Sequence, residues 1–385
     1  MMKKNIFIML CICLLQNSKL VIAQDAIPLP PPVSMKQERS VNKILEKPKV
    51  KVDEKKDSAP KSEQVIEEKK PIKPTTPKKS ITKKLHIGVN KNEGDMYLPL
   101  ASTICIFIND TKSDGCRIKQ YDTSIQAAQA LLDGDIDLLI TQSLLGKYMV
   151  DSKAPLNKNM QNKKLRFVLS LFNEPLSIVA RRDAQIKNLD NLKNNSINIS
   201  KNNSKTRMFM DHLIELKHFN LNDFTKVTEL DFDDAIDTIC SGNVNVIAIV
   251  AEKFNKYLKN VTRKCDVNIV RFSQDEIDLF KNTPQYVAET IEGGIYVGVP
   301  TDVETVAVKS ILLTTSDVPN DVIYFIVETI FNHFKVIQHL NNSFSDITTA
   351  KMLNEGRITT FHDGVTDFVK NNGYTDIVQN FSSSN

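Results

Sequence analysis

The chain holds 385 residues with 50 Lys/Arg against 46 Asp/Glu, a formal net charge of +4, and 41% of its residues are hydrophobic. The small net charge hides a basic arm on a mildly acidic body: residues 34–84 carry 16 Lys/Arg against 8 Asp/Glu, and residues 85–385 carry 31 against 37. The arm interleaves no aromatic residues with its cations, which argues against nucleic-acid binding, and the roughly 300 residues after it exceed one ordinary core and suit two lobes.

The first segment has the composition of an export signal. Lys3 and Lys4 precede a continuously apolar run, Ile6 to Leu15, and Val21-Ile22-Ala23 places small or aliphatic residues where signal peptidase needs them. Cleavage is expected after Ala23, giving a signal peptide over 1–23 and a soluble product outside the cytoplasm. An apolar core of about ten residues is too short to span a bilayer comfortably. Cys11 and Cys13 are poor lipid-attachment candidates, because Leu10 and Ile12 precede them where a small residue is wanted.

Residues 24–84 hold almost nothing that builds a core. Pro28-Leu29-Pro30-Pro31-Pro32 opens a Lys/Glu-rich stretch that ends in Lys70-Pro71, Lys73-Pro74 and Pro77-Lys78-Lys79. Such a segment buries too little apolar surface to offset its ordering entropy, which predicts a disordered Pro/Lys/Glu-rich arm with polyproline-II character. Its reach is roughly 45 Å as a flexible coil and about 190 Å at full polyproline extension. It reads either as a solvated spacer or as a weak contact for anionic envelope polymers and lipid headgroups.

From Leu85 strand-like runs alternate with helical patterns. Leu85 to Val89 reads as a strand, Tyr97 to Phe107 as an apolar helix and Arg117 to Tyr121 as an alternating strand. Ser124 reads as the N-cap of a helix to Leu132 stopped by Gly134, and Ile136 to Ile140 as a buried strand. Leu165 to Phe172 and Leu176 to Ala180 read as two further strands, and Val318 to Leu340 as one long amphipathic helix. The alternation predicts βαβ units around a mainly parallel sheet.

One phrase recurs: Leu131-Leu132-Asp133-Gly134-Asp135-Ile136-Asp137 parallels Ile239-Cys240-Ser241-Gly242-Asn243-Val244-Asn245. In both, a helix ends at a glycine able to turn left-handed and a buried strand follows. Two lobes of one design with a cleft between them account for this; chance recurrence of a common helix–Gly–strand phrase is the competing account. The four body cysteines fall as two local groups, Cys105 with Cys116 and Cys240 with Cys265. An even count downstream of an export signal suggests disulfides. The sequence has no Cys-x-x-Cys and no His at ligand spacing, which argues against zinc; free buried cysteines acting as small apolar residues are the other reading.

Several stretches together resemble the TAXI branch of the periplasmic solute receptors of tripartite ATP-independent (TRAP) transporters. They are Ile87-Gly88 with Gly94 and Tyr97-Leu98-Pro99; Gly134-Asp135-Ile136-Asp137 through Gln142-Ser143; and Glu174 to Arg181 with Ile186 to Lys193. Gly293-Gly294-Ile295-Tyr296-Val297-Gly298, Thr315 to Pro319 and Phe361-His362-Asp363-Gly364 complete the series over about 85–375. The resemblance implies a type II periplasmic-binding-protein fold: two α/β lobes joined by crossing strands and closing over a small ligand. Lobe I is expected over 85–175 with 314–385, and lobe II over 176–313. The implied ligand is a small carboxylate, glutamate-like or a C4–C5 dicarboxylate, and the implied partner is an integral-membrane TRAP-type permease. Both cysteine pairs resemble pairs in this family, giving Cys105–Cys116 and Cys240–Cys265, each within one lobe.

The departures from the family pattern locate the cleft. Val89 to Glu93 replaces much of a glycine-rich first turn; Asp122-Thr123-Ser124 with Ala127 stands for a Gly-Gly-Ser loop and its Asn; and Asn203-Ser204-Lys205-Thr206-Arg207 stands for a Gly-Ser-Gly loop. Hydroxyls survive while glycines and an amide are lost. Backbone N–H groups at the opening of the helix from Thr206, aided by Lys205 and Arg207, would attract an anion. In the competing reading Ser204 merely caps the helix and both cations face solvent. The expected ligand residues are Tyr97, Thr123, Ser124, Gln142, Ser204, Lys205, Thr206, Arg207, Tyr286 and Tyr296. The three tyrosines are read as cleft-lining rings, with a place in the core as the alternative.

Enzyme motifs are lacking. Asn203-Ser204-Lys205-Thr206 has no phosphate-loop glycine frame, and Ser80-Ile81-Thr82-Lys83 lies in the arm without companion motifs. His212/His218 and His333/His339 are six apart and point to different helix faces, and His362 reads as structural. No catalysis, cofactor or metal is expected. An envelope interaction protein that keeps the receptor fold as a scaffold is the alternative function.

Overall fold

The computed structural model describes residues 84–91, 96–111, 115–151, 153 and 164–380. The signal peptide expected over 1–23 and the arm expected over 24–84 lie outside these residues, Lys84 excepted, as do Asn92, Glu93 and Gly94 of the first turn.

The architecture is α/β, with ten strands in the order β2-β1-β3-β10-β4-β7-β5-β6, β8 added beside β4 and β9 beside β10. Strands β1 (Leu85–Asn90), β2 (Cys116–Tyr121) and β3 (Leu138–Gln142) are parallel. So are β5 (Ser196–Asn198), β6 (Lys226–Thr228) and β7 (Val246–Val250). Two long strands, β4 (Leu165–Arg181) and β10 (Val303–Thr315), join these groups. Up to Pro175, β4 pairs antiparallel with β10; from Leu176 it pairs with β7, and at its end with β8 (Val267–Ile269). The first half of β10 pairs with β9 (Tyr286–Ile291) and the second half with β3. The same two backbones thus run through both lobes, which is the crossing-strand arrangement of a type II periplasmic-binding-protein fold.

The sequence reads as two strands here, Leu165 to Phe172 and Leu176 to Ala180, whereas β4 runs unbroken over Leu165–Arg181. One strand forms because the proline sits where the chain changes partners, so its missing N–H interrupts no regular ladder. A second difference is the helix after Pro319, which is two: Asn320–Asn332 and Phe334–Leu340, parted at His333. There the His333 ring stacks on Phe107 at 4.0 Å and its Nδ1 bonds the Thr329 carbonyl, so the imidazole packs locally and the chain bends around it. A third is the cap of the helix Ser124–Leu132. Thr123, not Ser124, is the N-cap, and it exchanges reciprocal hydrogen bonds with Gln126.

The repeated phrase behaves as its glycines suggest, with Gly134 at φ +78° and Gly242 at φ +82°. Each is followed by a parallel strand buried on both faces, β3 and β7. Lobe I packs Ile87, Ile104, Leu138 and Phe368 into one apolar cluster, which Leu312 of β10 joins, and lobe II packs Ile239, Ile247, Val261 and Ile269 into another. Both disulfides, Cys105–Cys116 and Cys240–Cys265, are present, each within one of these clusters' walls. No helix among the described residues is long and apolar enough to cross a membrane.

Candidate functional site

The parallel strands β3 and β7 end near the middle of the crossing strands, Gln142 across from Ser310 and Val250 across from Leu176, and carboxyl ends of strands are where open α/β sheets bind ligands. The centre of this site is an ion pair. Helix α4 (Lys205–Leu216; the fourth α-helix among the described residues) opens after the N-cap Ser204, whose Oγ accepts from the Arg207 N–H at 3.0 Å. Its first residue, Lys205, sends Nζ to Glu174 Oε2 on the crossing strand β4, and the other oxygen, Oε1, accepts from the Tyr97 hydroxyl at 2.5 Å. Tyr97 begins the first helix (Tyr97–Thr111) of lobe I. The ammonium also lies 5.5 Å from the centre of the Tyr97 ring. Glu174 is 0% exposed and Lys205 2%, so the pair is fully withdrawn from water. Lobe I, the crossing strand and lobe II meet in three side chains.

The remaining expected residues divide by place. Gln142 ends β3 directly across from Ser310 of β10, and neither its amide N nor its O has a protein partner, although both are buried. Ser124 is buried and accepts from Asn90 Nδ2 at 3.1 Å. Thr206 Oγ1 accepts from the Val250 N–H, fixing α4 to the end of β7. Arg207 turns to its own lobe, hydrogen-bonding Asp211 at 2.7 Å and forming an ion pair with Glu229 at 2.8 Å. Burial works against its charge, but those carboxylates outweigh it and raise the guanidinium above its ordinary value. Tyr286 lies in the core between Phe209 and Phe280, with its hydroxyl on His212 Nδ1. Tyr296 is buried, and burial raises its hydroxyl to about 12 against the opposing backbone hydrogen bonds of Phe254 and Asn255. Thr123 serves as the helix cap described above. His362 caps the helix Asp363–Asn371 through Nδ1 and bonds the Val318 carbonyl through Nε2, a structural role.

Three charged residues that are buried or nearly so lie outside the expected ligand set: Glu174, Glu252 and Lys253. Glu174 stands between the apolar stretches ending at Phe172 and starting at Leu176, and Glu252 and Lys253 directly follow the apolar run Val246 to Ala251. A charge in such a position must be buried and paired, and that was the available signal. Lys253 bridges Glu289 and Glu292 to Asp346, three carboxylates at 2.9–3.2 Å. Burial disfavours its charge, but those partners overcome this and hold the ammonium above its ordinary value. Glu252 is pushed up by burial, with Lys205 pulling the other way. Among the described residues no group of three or more His, Cys, Asp or Glu is placed to hold a metal.

Known structures with a similar course of chain include three from bacteria. The periplasmic aliphatic sulphonate binding protein SsuA from Escherichia coli is 15% identical over 68% of this chain and 72% of its own, with a TM-score of 0.39. PhnD1 from Prochlorococcus marinus in complex with methylphosphonate is 13% identical over 77% and 99%, at 0.40. XAC2383 from Xanthomonas citri bound to ATP is 10% identical over 74% and 98%, at 0.46. The model of the NMT1-like family matches residues 92–373, well over half of the sequence, and the chain therefore belongs to the NMT1-like family.

Proposed function

We propose that this chain is an extracytoplasmic, non-enzymatic solute receptor of TAXI type, which captures a small carboxylate between its lobes and delivers it to a TRAP-type permease. The observation that carries the reading is the Lys205 site. A buried ammonium at a helix N-terminus, flanked by a tyrosine hydroxyl from the opposite lobe, already holds one carboxylate, that of Glu174. A glutamate-like or C4–C5 dicarboxylate ligand would take that place, with Glu174 swinging aside and the lobes parting to admit it. Ser124, Gln142 and Ser204 supply further polar groups, and the unpartnered Gln142 amide is the one most in need of a ligand. The arm, in this reading, is a solvated spacer that adds weak contact with anionic envelope surfaces.

Titration calorimetry with small carboxylates tests the proposal. Binding that is lost in Lys205→Gln and tightened in Glu174→Gln, which vacates the cation, is the expected result. A folded protein that binds none of them sinks it.

The second reading, an envelope scaffold that has lost small-ligand binding, is favoured by the same ion pair. Glu174 fills the position from within, so the lobes are joined without a solute. In that case Glu174→Gln gains no affinity for any carboxylate and simply loosens the protein.

A further inference from the structure

Beyond the Lys205 site, the segment after β7 holds a second buried charge, with an open side. Strand β7 runs into Ala251-Glu252-Lys253-Phe254-Asn255, and Glu252 is 4% exposed. Its Oε1 accepts from Asn255 Nδ2 at 3.2 Å, whereas Oε2 has no hydrogen-bond partner. The carboxylate borders a small cavity whose walls also include Pro175 and Ser177 of the crossing strand, Lys253, Leu258, Ile295 and Tyr296. That space has room for about one water-sized group. The nearby cations are committed elsewhere: Lys205 to Glu174, Lys253 to Glu289, Glu292 and Asp346, and Arg207 to Asp211 and Glu229.

We propose that Glu252 is the specificity-determining residue for a primary ammonium group on the solute, so that the receptor selects amino-bearing ligands over plain dicarboxylates. This rests on the receptor reading above and deepens it. A lone carboxylate oxygen in mostly apolar walls is costly unless a proton or a cation meets it. A primary ammonium matches the space in size, brings a compensating charge and donates the missing hydrogen bond. A methylene or a second carboxylate in the same place would leave the oxygen unmet or repelled. Burial raises Glu252 above the ordinary carboxylate range, and an arriving ammonium would reverse that shift. With Lys205 holding the carboxylate end, the two charged side chains would fix both ends of a zwitterion.

Calorimetry on the mature protein with three probes decides the matter: glutarate, glutamate and 1,5-diaminopentane, each against wild type and Glu252→Gln. The expected result is that wild type binds glutamate at least about ten-fold more tightly than glutarate, the worth of one charge-assisted hydrogen bond. In Glu252→Gln that ratio should fall to within about three-fold, with glutarate affinity kept or improved. Equal affinity of wild type for glutamate and glutarate overturns the proposal, as does a preference that survives in Glu252→Gln. Glutarate binding without any amine preference would leave the receptor reading standing and remove only Glu252. If neither carboxylate binds, the receptor reading for carboxylates falls, and the diamine decides Glu252: binding lost in Glu252→Gln supports it, and no binding overturns it.

Discussion

Glu174 and Lys205 face each other across the junction of the crossing strand and the second lobe, with Tyr97 of the first lobe closing the group. An ion pair so buried forms only when geometry and further hydrogen bonds compensate the lost hydration. Lys205→Met should leave Glu174 charged without its cation and cost about 3–5 kcal/mol. Adding Glu174→Gln should recover a large part of that loss. Urea denaturation of the single and double variants checks the coupling, and additive losses would show that the two side chains act independently.

Acid should weaken the contact around His212. Burial, together with Lys153, holds its pKa at about 4, against an ordinary value of 6.5. The unfolded chain therefore binds a proton that the folded one refuses between those values. Stability from this residue is complete above pH 6.5 and falls as the pH drops toward 4, by on the order of 2 kcal/mol. Melting temperatures across this range should decline less steeply in His212→Gln than in wild type; parallel curves would place the acid sensitivity elsewhere.

Each disulfide closes a short loop, with 11 residues separating Cys105 from Cys116 and 25 separating Cys240 from Cys265. Removing either one should cost roughly 3 kcal/mol by the loop-entropy estimate. Neither bridge joins the lobes, so both Ser-pair variants should keep ligand binding at a temperature where they remain folded. Peptide mapping without reductant should recover these two pairings; a bridge spanning the lobes would contradict them.

Two glycines should respond differently to alanine. At Gly134, φ is +78° and a methyl group would meet nothing within 4 Å, so the change should cost only about 1 kcal/mol of backbone strain. At Gly356, φ is +64° and a methyl group would come within 2.6 Å of Lys309 Cβ. Lys309 is itself buried and bonded to Glu355, so it cannot readily yield. Thermal melts should show Gly356→Ala well below Gly134→Ala, and similar melting temperatures would mean the Lys309 side chain relaxes freely.

Local patterns carried the fold. The phrase ending at Gly134 and again at Gly242 gave the helix–turn–strand unit of each lobe, because a left-handed residue and a doubly buried strand are short-range features. Pro175 misled, since a proline within an apolar run looks like a break until the partner strands on either side of it are known. Ser204 was legible as a cap because capping is a contact three residues long. The destination of Lys205 was not, as its partner stands 31 residues away and depends on how two lobes meet. The same holds for Glu252, whose meaning comes from what lies across the cavity rather than along the chain.

The crossing strands also set an order of events for a newly made chain. Everything needed for the second lobe's parallel strands, residues 182–302, lies between β4 and β10 and emerges as one uninterrupted stretch. The first lobe is different: Thr141 and Gln142 cannot gain their antiparallel neighbours until Ile311 and Ser310 have been synthesised. Such long-range pairing is slow and leaves strand edges uncovered while it waits. A truncation before β10 should therefore strand the amino-terminal half as an adhesive edge, while the inserted half has most of its own pairing in hand.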